Sequence, residues 1–112
     1  MKINVLGRPY AVTVSNDGEE KRLTGCDGFC DETSAEIYAE NYAKAVSDPC
    51  RKADLSVQTK KVIRHEIVHA FLFESGLSDN SPWAQDEEMV DWIAIQGPKI
   101  YAAWREAGAL DA

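Results

Sequence analysis

Arg64-His65-Glu66-Ile67-Val68-His69-Ala70 contains both histidines of the chain, four residues apart, with a glutamate directly after the first. On an α-helix, residues four apart stand one turn above each other on the same face, so both imidazoles can reach one ion. Glu66 then lies beside them, over the coordination position that a catalytic metal leaves open. Neutral imidazole is a common zinc ligand, and a catalytic zinc takes three protein ligands and a water. The spelling H-E-x-x-H thus nominates His65 and His69 as ligands of Zn2+ and Glu66 as a general base. The competing reading, two histidines packed in a metal-free core, has to treat the spacing as coincidence in a chain with no other histidine.

The flanks extend the motif into a helix. Ser56 is a candidate N-cap, and Val62, Ile63, Ile67, Val68, Phe71 and Leu72 keep a helical period until Ser75-Gly76. Ser81-Pro82 predicts a second helix, with serine as cap and proline at the first position, ended by Gly97-Pro98. A last helix is expected over 99–107, closed by Gly108. Upstream, Ile3 and Val5, then Tyr10, Val12 and Val14, alternate on either side of Gly7-Arg8-Pro9, which reads as a β-hairpin. The polar run 15–22 reads as an exposed loop. A second hairpin is expected from Gly28 through a turn near Glu32-Thr33 into a strand over 36–39, making about four strands. The stretch 43–54 reads as a helical turn or loop, broken at Asp48-Pro49. Strands first and helices second is an α+β order: a small N-terminal antiparallel or mixed sheet packed on the motif helix, with two further helices.

The helix after the motif carries Asp86, Glu87, Glu88 and Asp91. Glu87 and Asp91 share a face with Trp83, Val90 and Ala94, whereas Glu88 groups with Trp92 and Ile95. An acid on an apolar helix face is costly unless it is paired or bound to a metal. Glu87 is therefore the favoured third ligand, with Glu88 the alternative, and Asp91 is placed to accept the second ring N–H of a ligating histidine.

Composition sets outer limits. The 112 residues suffice for one domain, and 45% hydrophobic with 28% charged residues is the profile of a globular chain. A net charge of −7 argues against nucleic acid or an anionic membrane as the main partner, since both call for clustered Lys and Arg. No apolar run approaches a spanning helix, and the first residues do not resemble a signal peptide, so a cytoplasmic location is expected. Cys26, Cys30 and Cys50 are an odd number without a second pair, which favours reduced thiols over a disulfide framework or zinc knuckle.

The run His65-Glu66-Ile67-Val68-His69-Ala70-Phe71-Leu72-Phe73-Glu74-Ser75-Gly76-Leu77, with Trp83-Ala84 and Glu87-Glu88-Met89-Val90-Asp91-Trp92-Ile93-Ala94, resembles the small zincin-like metallopeptidases encoded in phages and prophages. Glu87-x-x-x-Asp91 is similar to the gluzincin arrangement, in which the glutamate ligates zinc and the aspartate holds a zinc-bound histidine. The resemblance covers about half the chain. It implies a small sheet on the motif helix and a sheet edge around Glu36–Glu40 that pairs with an extended peptide or protein substrate. It also implies action in a host cytoplasm on a phage or host protein. This chain lacks a third histidine for the oxyanion, so Tyr38, Tyr42, Tyr101 or Arg64, or the zinc alone, would have that role. The resemblance thus implies hydrolysis of peptide bonds by zinc-activated water. The alternative is a catalytically silent, metal-stabilised binding or phage-assembly module on the same scaffold.

Overall fold

The computed structural model describes residues 1–42 and 53–111. The break expected at Asp48-Pro49 and the third cysteine, Cys50, lie outside the described residues.

The elements are β1 (Lys2–Val5), β2 (Arg8–Ser15), β3 (Gly28–Asp31), β4 (Glu36–Glu40), α1 (Leu55–Glu74), the single-turn α2 (Leu77–Asn80) and α3 (Glu87–Glu106). Short 3-10 turns occupy Lys21–Leu23 and Pro82–Gln85. The fold is α+β, with a four-stranded sheet in the order β1-β2-β4-β3. β1–β2 and β3–β4 are antiparallel, whereas β2–β4 is parallel, so the sheet is mixed.

The first hairpin turns one residue earlier than expected. Val5 pairs with Arg8, leaving Leu6-Gly7 as a two-residue loop with φ of 50° and 94°. Two positive φ values match the twist of the flanking strands, which is why such turns close tight hairpins. The Gly7 N–H donates to Asn4 Oδ1 at 2.7 Å and braces the turn. Pro9 fits inside β2 because β4 pairs only from Ala11 onward, so no neighbour needs the N–H that proline lacks. The polar run 15–22 is not all loop: β2 extends through Ser15, and the 3-10 turn that follows buries Leu23.

One correction bears on function. β4 is an interior strand between β2 and β3, so Glu36–Glu40 is not a sheet edge; the edge on that side is β3. The connection from β2 carries the chain past the neighbouring position and back, and strand order of this kind has no signature in local pattern.

α1 is capped by Asp54, whose carboxylate accepts from the Ser56 and Val57 N–H groups, so Ser56 lies inside the helix and is not its cap. Two sides of α1 are buried. Ala70, Ile63 and Ile67 pack with Val5, Tyr10, Val12 and Ile37 of the sheet. Leu72 and Val68 pack with Ala84, Val90 and Met89 on the α3 side. At about 1.5–3 kcal/mol for each fully buried aliphatic side chain, these clusters fix how α1 sits between sheet and α3. Tyr10 adds a polar tie: its buried hydroxyl donates to Glu74 Oε2 at 2.7 Å, and Arg8 Nη1 bridges Glu74 and the Glu32 carbonyl.

Two helices follow the motif helix, as expected, but not where expected: the first is the single-turn α2, and the segments expected as separate helices from Ser81 to Gly97 and over 99–107 fall largely in one helix, α3. Ser81-Pro82 opens only the 3-10 turn, and α3 starts after Asp86, whose Oδ1 accepts from Glu88 N at 2.9 Å. α3 then runs unbroken through Gly97-Pro98 to Glu106. A proline inside a helix costs about 3 kcal/mol, through the lost N–H and a clash with the carbonyl four residues back. Here that carbonyl belongs to Ala94, and Arg64 Nε donates to it at 2.6 Å from α1. No helix of the described residues is long and apolar enough to cross a membrane.

Candidate metal centre

The face of α1 left between its two packed sides carries His65 and His69 into a cleft bounded by β3 and the start of α3. Glu87 is the first residue of α3, and its carboxylate reaches both rings. His65 Nε2 lies 3.0 Å from Glu87 Oε2, and His69 Nε2 lies 3.0 Å from Glu87 Oε1. One ligand atom from each of the three residues falls within 4.8 Å of the others. Ligands on a tetrahedral zinc, each about 2.1 Å from the ion, stand about 3.4 Å apart, so this donor set fits one ion after small side-chain rotations. Two imidazoles and a carboxylate are also the right chemistry for zinc.

Glu87 reaches this place by a different route from the one its helix face suggested. Its side chain is 68% exposed, so it is not an acid forced into an apolar stripe. The cap at Asp86 ends the preceding turn and projects Glu87 from the start of α3 towards α1. Glu88 is exposed and is not among the grouped ligands. Asp91, one turn further on, places Oδ1 3.3 Å from His65 Nδ1, on the ring nitrogen opposite the one facing Glu87. A carboxylate there fixes ring orientation and tautomer and raises the basicity of the other nitrogen.

Glu66 is buried, at 8% exposure, within the α1 face next to this cluster. Burial pushes its carboxyl up to about 7; His65 opposes that shift, and the Glu87 charge adds to it. A carboxyl tuned near neutrality can both take and return a proton.

The groove over the cluster is continuous in its lining. One part, about 660 Å³, has Gly28, Cys30, His65, His69, Phe73 and Glu87 among its walls. A second, about 410 Å³, shares Gly28, His65 and Glu66 and adds Asp27, Gln58, Lys61 and Asp91. The Glu40 N–H donates to the Asp27 carbonyl at 2.8 Å, which sets the phase of the β3–β4 ladder. Asp27, Phe29 and Asp31 thus spend their backbone groups on β4, while Gly28 and Cys30 turn theirs to the edge that no other strand of the described residues covers, where the Gly28 N–H meets the Cys26 thiol. β3 can lie this close to α1 because residue 28 is glycine. A Cβ there would meet Val62 Cγ1 at 2.6 Å and the Tyr38 carbonyl oxygen at 2.7 Å.

The four side chains considered for an oxyanion are engaged elsewhere. Ile37 and Ala39 face the core, so Tyr38 points to the opposite face of the sheet, stacked on Phe29 at 5.1 Å with Arg22 over its ring. The Tyr42 hydroxyl donates to Asp27 at 2.9 Å, at the far end of the groove. Tyr101 is exposed near the end of α3, where Arg105 donates to its hydroxyl. Arg64 is committed to the Ala94 carbonyl. Lys61 was not singled out in the sequence, although it stands one turn before His65; its Nζ is 4.0 Å from Asp91 Oδ1. Phe73, one turn after His69 and stacked on it at 6.2 Å, was legible by the same spacing. Gly28 and Cys30 had no signal, because only the strand order makes β3 an edge.

Comparisons with protein-family models, curated proteins and solved structures find no match. What this chain does has to be read from its own residues.

Proposed function

We propose that the chain is a zinc-dependent metallopeptidase that cleaves an extended segment of a peptide or protein. The observation carrying this reading is the convergence of His65 and His69 on the Glu87 carboxylate, with buried Glu66 beside them at an open groove. A zinc ion held by His65, His69 and Glu87 would lower the pKa of a bound water and polarise the scissile carbonyl. Glu66 would accept a proton from the attacking water and return it to the leaving amine. Asp91 holds His65 in the orientation that turns Nε2 towards Glu87 and would leave it free to ligate the metal. The substrate backbone pairs with the outward C=O of Gly28 and the N–H and C=O of Cys30, as strand addition at a sheet edge allows. A target of this kind, a phage or host protein met in a host cytoplasm, follows from the likeness to phage-encoded zincins.

The second reading, a metal-stabilised binding or phage-assembly module, draws on the engagement of Tyr38, Tyr42, Tyr101 and Arg64 away from the cluster. Against it stands the retention of a glutamate at position 66, since a structural zinc site needs no base and closes its fourth position with a protein ligand. Zinc-loaded wild type should cleave unfolded casein. Glu66→Gln should bind zinc as the wild type does and lose at least 99% of the cleavage rate, within the range general bases supply. Zinc bound without cleavage by the wild type would favour the module, and an active Glu66→Gln variant would remove Glu66 from the chemistry.

A further inference from the structure

α3 continues through Pro98, which has no N–H to give to the carbonyl of residue 94. Ala94 is 1% exposed, so its carbonyl loses its i+4 N–H donor in a place where water is scarce. Arg64 supplies the donor from the other helix, with Nε 2.6 Å from the Ala94 oxygen. A guanidinium is charged at every working pH and planar, and its hydrogen bonds are short and directional. The position of this bond matters. Arg64 directly precedes His65, and Ala94 lies one turn beyond Asp91 and two turns beyond Glu87. The bond therefore joins the two ligand-bearing helices close to where His65 meets Asp91 and Glu87.

We propose that Pro98 and Arg64 work as a pair: Pro98 frees the Ala94 carbonyl, and Arg64 uses it as the anchor that sets α3 against α1. Arg64 is thus a positioning residue for the metal centre, a role that rests on His65, His69 and Glu87 being the ligands. A simpler role, satisfying a stranded carbonyl and nothing else, makes a different prediction. Replacing Pro98 by alanine restores an N–H in α3 and satisfies Ala94 without any tie to α1.

The test compares wild type, Arg64→Ala, Pro98→Ala and the double variant in three measurements. These are melting temperature without metal, zinc affinity by competition with a chromogenic chelator, and the imidazole 15N signals of His65 in the metal-free chain. Arg64→Ala should lower the melting temperature, weaken zinc binding about tenfold, the lower end of what loss of support around a metal site costs, and change the His65 signals. The double variant should recover the melting temperature while zinc affinity and the His65 signals stay altered. Recovery of all three would reduce Arg64 to a carbonyl partner and overturn the proposal, as would an Arg64→Ala variant with wild-type zinc affinity and His65 signals. If Arg64→Ala does not fold, the double variant alone carries the comparison. If the wild type takes up no zinc, the metal reading fails separately, and the His65 signals decide: unchanged in the double variant, they overturn the proposal, and altered, they uphold it.

Discussion

Glu87→Ala separates metal binding from folding, because the side chain is 68% exposed and contributes no core packing. Its removal costs the metal-free chain the contacts to His65 and His69, a loss of about 1 kcal/mol for an exposed hydrogen-bonded group, which the comparison with and without zinc cancels. Zinc at a free concentration about 100 times its dissociation constant stabilises the native wild type by about 2.7 kcal/mol. Unfolding entropy of about 2.1 cal/mol/K per residue gives about 0.24 kcal/mol/K for a chain of this length, so zinc should raise the melting temperature by about 11 °C. Losing one of three protein ligands should weaken binding at least as much as the roughly hundredfold seen when only an outer partner is lost. The same zinc concentration then gives about 0.4 kcal/mol, or about 2 °C. The assay is thermal unfolding by circular dichroism after chelator stripping, with and without buffered zinc, for wild type, Glu87→Ala and Glu88→Ala. Glu88→Ala should behave as the wild type. A full zinc shift in Glu87→Ala, or its loss in Glu88→Ala, would refute the ligand set.

Three other expectations concern the frame around the site. Gly28→Ala forces β3 off α1, because its Cβ would meet Val62 and the Tyr38 carbonyl; a loss of about 1–3 kcal/mol should appear in the urea midpoint, and an unchanged midpoint would contradict the close approach. Leu6→Asn should stabilise the chain by about 0.5–1 kcal/mol in the same assay, since Leu6 is 60% exposed at φ 50° and asparagine tolerates that region far better. Above neutrality the chain should weaken. Burial and then the Glu66 charge push the Cys30 thiol up to about 12, and burial and then the bond to Asp27 push Tyr42 up to about 12. The unfolded chain releases these protons near about 8.5 and about 10, so between there and pH 12 the folded state binds more protons and stability falls as pH rises. Urea midpoints that stay level from pH 8 to 11 would refute that linkage.

Much of the framework was legible from local pattern. α1, the first hairpin, the β3 and β4 segments and the strands-before-helices order all follow from periodicity, because alternation and a 3.6-residue repeat record which side of an element is buried. The errors fall where local pattern and long-range packing diverge. Gly97-Pro98 reads as a helix end, yet α3 passes through it because a residue of another helix takes over the stranded carbonyl. Ser56 and Ser81 read as caps, yet Asp54 and Asp86 do the capping, since any short acceptor side chain at the right φ and ψ can serve.

By itself the sequence nominated the candidate ligands His65 and His69, the candidate base Glu66 and the pairing of Glu87 with Asp91, since helical spacing alone puts each pair on a common face and Glu66 beside the histidines. Only the tertiary structure decided three things. It made β3 rather than β4 the free edge, because strand order depends on how the connections run. It brought Glu87 to the histidines from an exposed helix start rather than an apolar stripe, because α3 packs on α1 at Val90 and Leu72. It turned Arg64 from a candidate at the reacting carbonyl into a bridge between helices, because Pro98 denies the Ala94 carbonyl its i+4 donor and Arg64 supplies one from α1.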